Sequence, residues 1–179
     1  MYMATAIKRW TLEELHSLPD DGNKYELVRG ELFLTPPPTP GHETTASRLA
    51  RILEPYVAKH QLGFVYRPRA VVRFEGSEVE PDLMVRQPPA APNVRWEDMP
   101  VPILVVEIIS DSTRRRDRGP KRDFYMDAGV AEYWIVDENA ATITSVRKGK
   151  PDLVVHDQLI WTPATADAPL AVDLSQVFV

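Results

Sequence analysis

Hydrophobic and polar positions along the chain switch repeatedly between a period of two and a period near 3.6. TLEELHSLP opens on a threonine with glutamates at the second and third following positions, which predicts a short capped helix ending before Pro19. KYELVRGELFLT alternates about Arg29-Gly30 and predicts a β-hairpin, or one strand bent at the glycine. HETTASRLARILEPYVAKH spaces Ala46, Leu49, Ala50, Leu53 and Val57 as one face of an amphipathic helix, with Pro55 near its end.

Beyond it, FVYRPRAVVRF and VEPDLMVR flank the turn residues EGSE and predict a second hairpin. Gln87 to Pro100 is proline-rich and reads as a long loop. VPILVVEIIS is apolar at almost every position, the pattern of a strand covered on both faces. A helix is predicted from Pro120 to Ala128, capped by Gly129, and EYWIVDE, TITSVRK and LVVHD read as three strands before the closing LAVDLSQVFV. The order implies an α/β fold, with a central mixed β-sheet flanked by helices. A cleft is expected near the C-terminal end of the strand that carries Glu107.

The 179 residues suit a single domain. There is no cysteine, which removes disulfides, thiolate metal sites and a cysteine nucleophile. MYMATAIKRW lacks the apolar run of a signal peptide, and no window approaches the ~20 apolar residues of a membrane span, so a cytoplasmic, non-membrane protein is expected. The net charge of −5 argues against a generic nucleic-acid coat protein. Positive charge is nevertheless concentrated at Arg114, Arg115, Arg116, Arg118, Lys121 and Arg122, as a solvated loop and helix start or as a phosphate-facing patch.

Glu107 is the position that most needs an explanation. A buried carboxylate without a partner costs several kcal/mol, roughly, so Glu107 must be paired, protonated, at a cleft mouth or on a metal. Alternation in VEPDLMVR puts Asp82 on a face with Glu80, Met84 and Arg86. If that strand lies beside the Glu107 strand, the two acids converge and call for a cation between them. With no cysteine and four histidines, oxygen-bound Mg²⁺ or Mn²⁺ fits better than zinc. Helical spacing aligns Asp117, Lys121 and Tyr125, so Lys121 could reach back toward the acids. The plainer alternatives are a turn or Arg86 pair for Asp82 and a surface position for Lys121. Tyr133 and Trp134 read as core. No GxSxG elbow surrounds Ser110, which argues against a serine hydrolase.

Taken together, Pro81-Asp82, Glu107 in an aliphatic strand ending at Ser110, and a lysine on the next helix resemble the PD-(D/E)XK nuclease superfamily. The nearer resemblance is to its bacterial Uma-type restriction endonucleases. It is carried by YELVRGEL, GHE, VEPDLMV, ILVVEIISDST and KRDFYMDAGVAEYWIVD, in that order.

The resemblance implies a restriction-endonuclease-like core and Mg²⁺- or Mn²⁺-dependent hydrolysis of DNA. Asp82 and Glu107 would be metal ligands, Lys121 the catalytic lysine and Glu26 an accessory acid; His42 matches a family histidine of unassigned role. Ser110 and Tyr125 are further accessory candidates, and Arg114, Arg115, Arg116 and Arg118 would hold backbone phosphates. The superfamily's usual lysine position, two residues after the glutamate, is Ile109 here, which shifts that role to Lys121. The competing functions are a catalytically inactive member that binds DNA or a protein partner, and a phosphoesterase acting on nucleotides or RNA. A homodimer would supply two sites for two strands.

Overall fold

The computed structural model describes residues 8–110 and 112–178. Most of the N-terminal stretch read for a signal segment, and Asp111 within ISDST, lie outside them.

Thr11 caps α1 (Leu12–His16) in a reciprocal capping box with Glu14. Strands β1 (Lys24–Val28) and β2 (Glu31–Thr35) form the expected antiparallel hairpin. Its turn residues Arg29 and Gly30 both have positive φ, 51° and 83°, the geometry whose twist matches paired strands. α2 (Pro40–Lys59) begins on Thr39, whose side chain accepts from the His42 N–H, and it runs through Pro55.

The second hairpin is more divided than alternation implies. β3 (Phe64–Tyr66), β4 (Val72–Phe74), β5 (Ser77–Val79) and β6 (Leu83–Arg86) are four short strands. β4 and β5 pair around Glu75-Gly76, whereas β3 pairs with β6 in a different sheet. The physical reason lies at Pro68 and Pro81, which lack the N–H a continuous ladder requires. At both places the chain crosses from one sheet to the other. Gln87 to Pro100 is the expected loop, with one 3₁₀ turn at Trp96–Asp98.

β7 (Leu104–Ile109) is buried at all six positions. The expected helix from Pro120 is α4 (Pro120–Asp127), and a short helix that the pattern does not predict, α3 (Arg114–Arg118), precedes it across Gly119. β8 (Glu132–Asp137), β9 (Thr142–Val146) and β10 (Leu153–Val155) follow as expected. β11 (Gln158–Trp161) and β12 (Leu170–Asp173) close the chain as a separate pair.

The large sheet runs β10-β9-β8-β7-β6-β3, with β7 and β8 parallel and the other neighbours antiparallel. The smaller sheet runs β2-β1-β5-β4. One face of the large sheet, through Leu83, Val85, Val106 and Trp134, packs on Leu49 and Leu53 of α2 and on Trp161 and Val172 of the β11–β12 pair. The opposite face, through Met84, Val105, Tyr133 and Ile135, packs on Phe124 and Tyr125 of α4 and on Val28, Val72 and Val79 of the smaller sheet. Tyr133 and Trp134 are therefore core residues on opposite faces, as period two requires. This is the expected α/β fold built on a mixed sheet. No helix among the described residues is long and apolar enough to cross a membrane.

Candidate active site

The antiparallel register of β6 on β7 pairs Leu83 with Val106 and Met84 with Val105. One step further along that register, Asp82 stands across from Glu107. Asp82 Oδ2 accepts from the Ile108 backbone N–H at 2.8 Å and lies 3.1 Å from His42 Nε2, in the first turn of α2. Lys24 Nζ, at the start of β1, lies 3.3 Å from Asp82 Oδ1 and donates to the Glu80 carbonyl at 2.9 Å.

Two residues along β1, and so on the same face as Lys24, Glu26 is fully buried. Its Oε1 accepts from the Glu80 N–H at 3.0 Å and from Lys121 Nζ at 2.9 Å. Lys121, itself fully buried on α4, also ion-pairs with Glu107 Oε1. One turn along α4, Tyr125 donates its hydroxyl hydrogen to the same Glu107 oxygen. Asp117 lies 3.8 Å from Lys121 and 3.4 Å from Arg116. The Arg116 guanidinium donates to Thr35 Oγ1 at 2.7 Å and approaches Glu26 Oε2 to 3.6 Å.

Within this network Asp82, Glu26, Glu107 and Asp117 face Lys24, Lys121 and Arg116, so acid exceeds permanent base by one. Burial alone would push Asp82 up, but Lys24, His42 and the Ile108 N–H hold it well below the usual carboxylate range. Burial likewise opposes ionisation of Glu26, and Lys121, Lys24 and Arg116 outweigh it. Glu107 is different: burial pushes it up to about 7 despite Lys121 and Lys24, with Asp82 and Glu26 adding repulsion. Lys24 keeps its charge against burial because Asp82, Glu26 and Glu107 surround it.

Asp82, Glu107 and Asp117 line a cleft of about 550 Å³. Its walls are the Pro36–Pro38 loop, the start of α2 and the Arg67–Arg69 segment, and Arg116 and Ser110 also face it. Of the acids on the cleft, Asp82 and Glu107 can offer oxygens to a hard cation; Glu26 Oε2, a buried oxygen with no hydrogen-bond partner, does not line the cleft and has Arg116 3.6 Å away. Among the described residues no three His, Cys, Asp or Glu side chains form a preformed cage. Two carboxylates with water and phosphate oxygens completing the shell nevertheless suit Mg²⁺, which retains several waters when bound.

The structure thus brings together Asp82, Glu107, Lys121 and Glu26, and attaches His42 to the first and Tyr125 to the second. Ser110 lies on the cleft wall, its Oγ 2.9 Å from Ser112 Oγ and its N–H donating to Thr113. The arginines diverge: Arg114 and Arg118 both pair with Asp137, Arg115 is exposed, and Arg116 turns into the cleft. Asp82 does not pair with Arg86, which donates to the backbone carbonyls of Val71, Trp96, Met99 and Pro100. Sequence reasoning misses Lys24; the available signal is its place two residues before Glu26 on one strand face.

A family model, Uma2, described as "Putative restriction endonuclease", matches residues 12–173. The chain belongs to the Uma2 family. Its motifs converge in space on the network around Asp82 and Glu107, although they are spread from β1 to α4. No curated protein matches this Uma2 chain. In fold it is similar to the crystal structure of a "putative nuclease belonging to DUF820" from Anabaena variabilis ATCC 29413. The TM-score is 0.80 and the identity 19%, over 94% of this chain and 97% of that one.

Proposed function

We propose that this chain is a divalent-metal-dependent endonuclease that hydrolyses DNA phosphodiester bonds. The observation that carries the reading is the β6–β7 register, which sets Asp82 across from Glu107 at the floor of an open cleft beside Lys121. Asp82 and Glu107 would hold Mg²⁺ or Mn²⁺, with Glu26 as accessory acid, and the ion would acidify water and polarise the phosphate.

The protein's own groups have separable tasks. The Ile108 N–H and His42 fix the orientation of Asp82, and Tyr125 fixes that of Glu107. Glu107, Glu26 and Asp117 hold Lys121 ionised directly beneath the Glu107 wall of the cleft, from where its ammonium would stabilise charge developing on the phosphate oxygens. Arg116, on the cleft wall, and exposed Arg115 are the members of the basic run available to backbone phosphates, supplying salt-sensitive, sequence-independent affinity.

The test is Mg²⁺ and Mn²⁺ calorimetry on the wild type, Asp82→Asn and Glu107→Gln, with plasmid nicking and cleavage of single-stranded DNA and RNA alongside. Metal-dependent nicking that both substitutions abolish establishes the reading. Metal binding without cleavage of any substrate favours a non-catalytic nucleic-acid or protein binder. No metal binding by the wild type overturns metal dependence.

A further inference from the structure

Lys24 has no part in the proposed chemistry beyond its charge, yet its ammonium is the permanent cation that ion-pairs with Asp82, one of the two proposed metal ligands. Asp82 Oδ2 already accepts from the Ile108 N–H and faces His42 Nε2, so Oδ1 is the oxygen left for a cation. Lys24 Nζ is on that oxygen, at 3.3 Å. Its second anchor is a backbone carbonyl, that of Glu80, at 2.9 Å. The Lys24 side chain is 16% exposed and lines the cleft, so it has an open side to move into, whereas Lys121 is fully enclosed. An ammonium and a divalent ion on one carboxylate oxygen repel strongly at low effective dielectric.

We propose that Lys24 is a positioning residue that acts as a resident cation on Asp82, occupying and orienting its Oδ1 until a divalent ion displaces it. The inference rests on the proposed metal role of Asp82. The ion enters by exchange with the ammonium, which swings toward the cleft and the substrate phosphates. The intrinsic affinity of the carboxylates for the ion is therefore reduced by the presence of Lys24. Removing Lys24 should tighten metal binding, an effect opposite in sign to that of structural damage.

The experiment is Mn²⁺ calorimetry on the full chain without nucleic acid, comparing wild type, Lys24→Met, Lys24→Gln and Lys24→Arg, with folding checked by circular dichroism. Lys24→Met and Lys24→Gln are expected to bind Mn²⁺ about tenfold tighter or more, and Lys24→Arg to stay near the wild type. Unchanged or weaker affinity in whichever neutral variant folds overturns the resident-cation role while leaving the nuclease reading intact. No Mn²⁺ binding by any variant, wild type included, overturns both.

Discussion

Asp82 accepts a hydrogen bond from the backbone N–H of Ile108, the residue next to Glu107, so one proposed ligand is tethered to the strand that carries the other. Removing the Asp82 side chain strands a buried donor and leaves Lys24 without its nearest carboxylate. Asp82→Ala should destabilise the fold by about 2–4 kcal/mol. Asp82→Asn keeps an acceptor for Ile108 and should cost less than half as much while still abolishing metal binding. Urea denaturation of the two variants beside calorimetry separates these effects; equal destabilisation would show that the tether is unimportant.

Lys121 is the only ammonium that meets both Glu26 and Glu107 among the ion pairs of the described residues. Lys121→Met should cost about 3–5 kcal/mol near neutral pH, since it leaves two buried acids facing each other. Without that ammonium the folded-state value of Glu26 rises, and that of Glu107, already raised to about 7 by burial, rises further above its unfolded one. Such groups favour the fold while protonated and lose that contribution as pH rises through the window between the two values. The deficit against the wild type should therefore be largest near pH 8 and shrink toward pH 5. Thermal melts across that range decide it, and a deficit that does not vary with pH would refute the shared-ammonium description.

Asp137 tests the neighbouring arginines. Burial works to raise it, but the Arg114 hydrogen bond, the Ala140 N–H and the Arg114 and Arg118 charges prevail, leaving it below the ordinary aspartate value. A depressed acid stabilises above its unfolded value and loses that contribution as pH falls toward its folded one. Asp137→Asn should cost about 1–3 kcal/mol at pH 7 and progressively less in acid below about pH 4. Denaturant midpoints at pH 7 and pH 3 provide the comparison.

Gly63 has φ +108°, and a Cβ added there would lie 2.2 Å from the Arg86 carbonyl oxygen. That backbone cannot be moved without disturbing the β3–β6 pairing, so Gly63→Ala should cost on the order of 3 kcal/mol. The effect should be on stability alone: metal affinity measured well below the melting temperature should match the wild type.

Much of the fold and of the site is legible in the amino-acid sequence, and the reasons are local. Arg29-Gly30 marks its hairpin, the leucine spacing of α2 marks its helix, and the unbroken apolar run around Glu107 marks a central strand. The convergence of Asp82 on Glu107 is conditional on strand adjacency, which the structure supplies. Alternation across FVYRPRAVVRF and VEPDLMVR cannot disclose that the chain changes sheets at Pro68 and Pro81, because both sheets impose the same period. The basic run reads as a loop leading into the helix at Pro120, and the short α3 within it carries no apolar periodicity that would announce it. Lys24 carries no such mark because a lysine at a strand's first residue is normally solvated; only the tertiary fold brings it over Asp82.

The register of β6 on β7 has one more consequence. Leu83 and Val85 enter one core and Met84 the other, so sliding the strand by a single residue would exchange the two cores and turn Asp82 away from Glu107 together. Chemistry and packing thus share one alignment. A molecule with its hydrophobic layers misassembled would also be one without the acid pair, so the packing that selects the fold selects the candidate site with it.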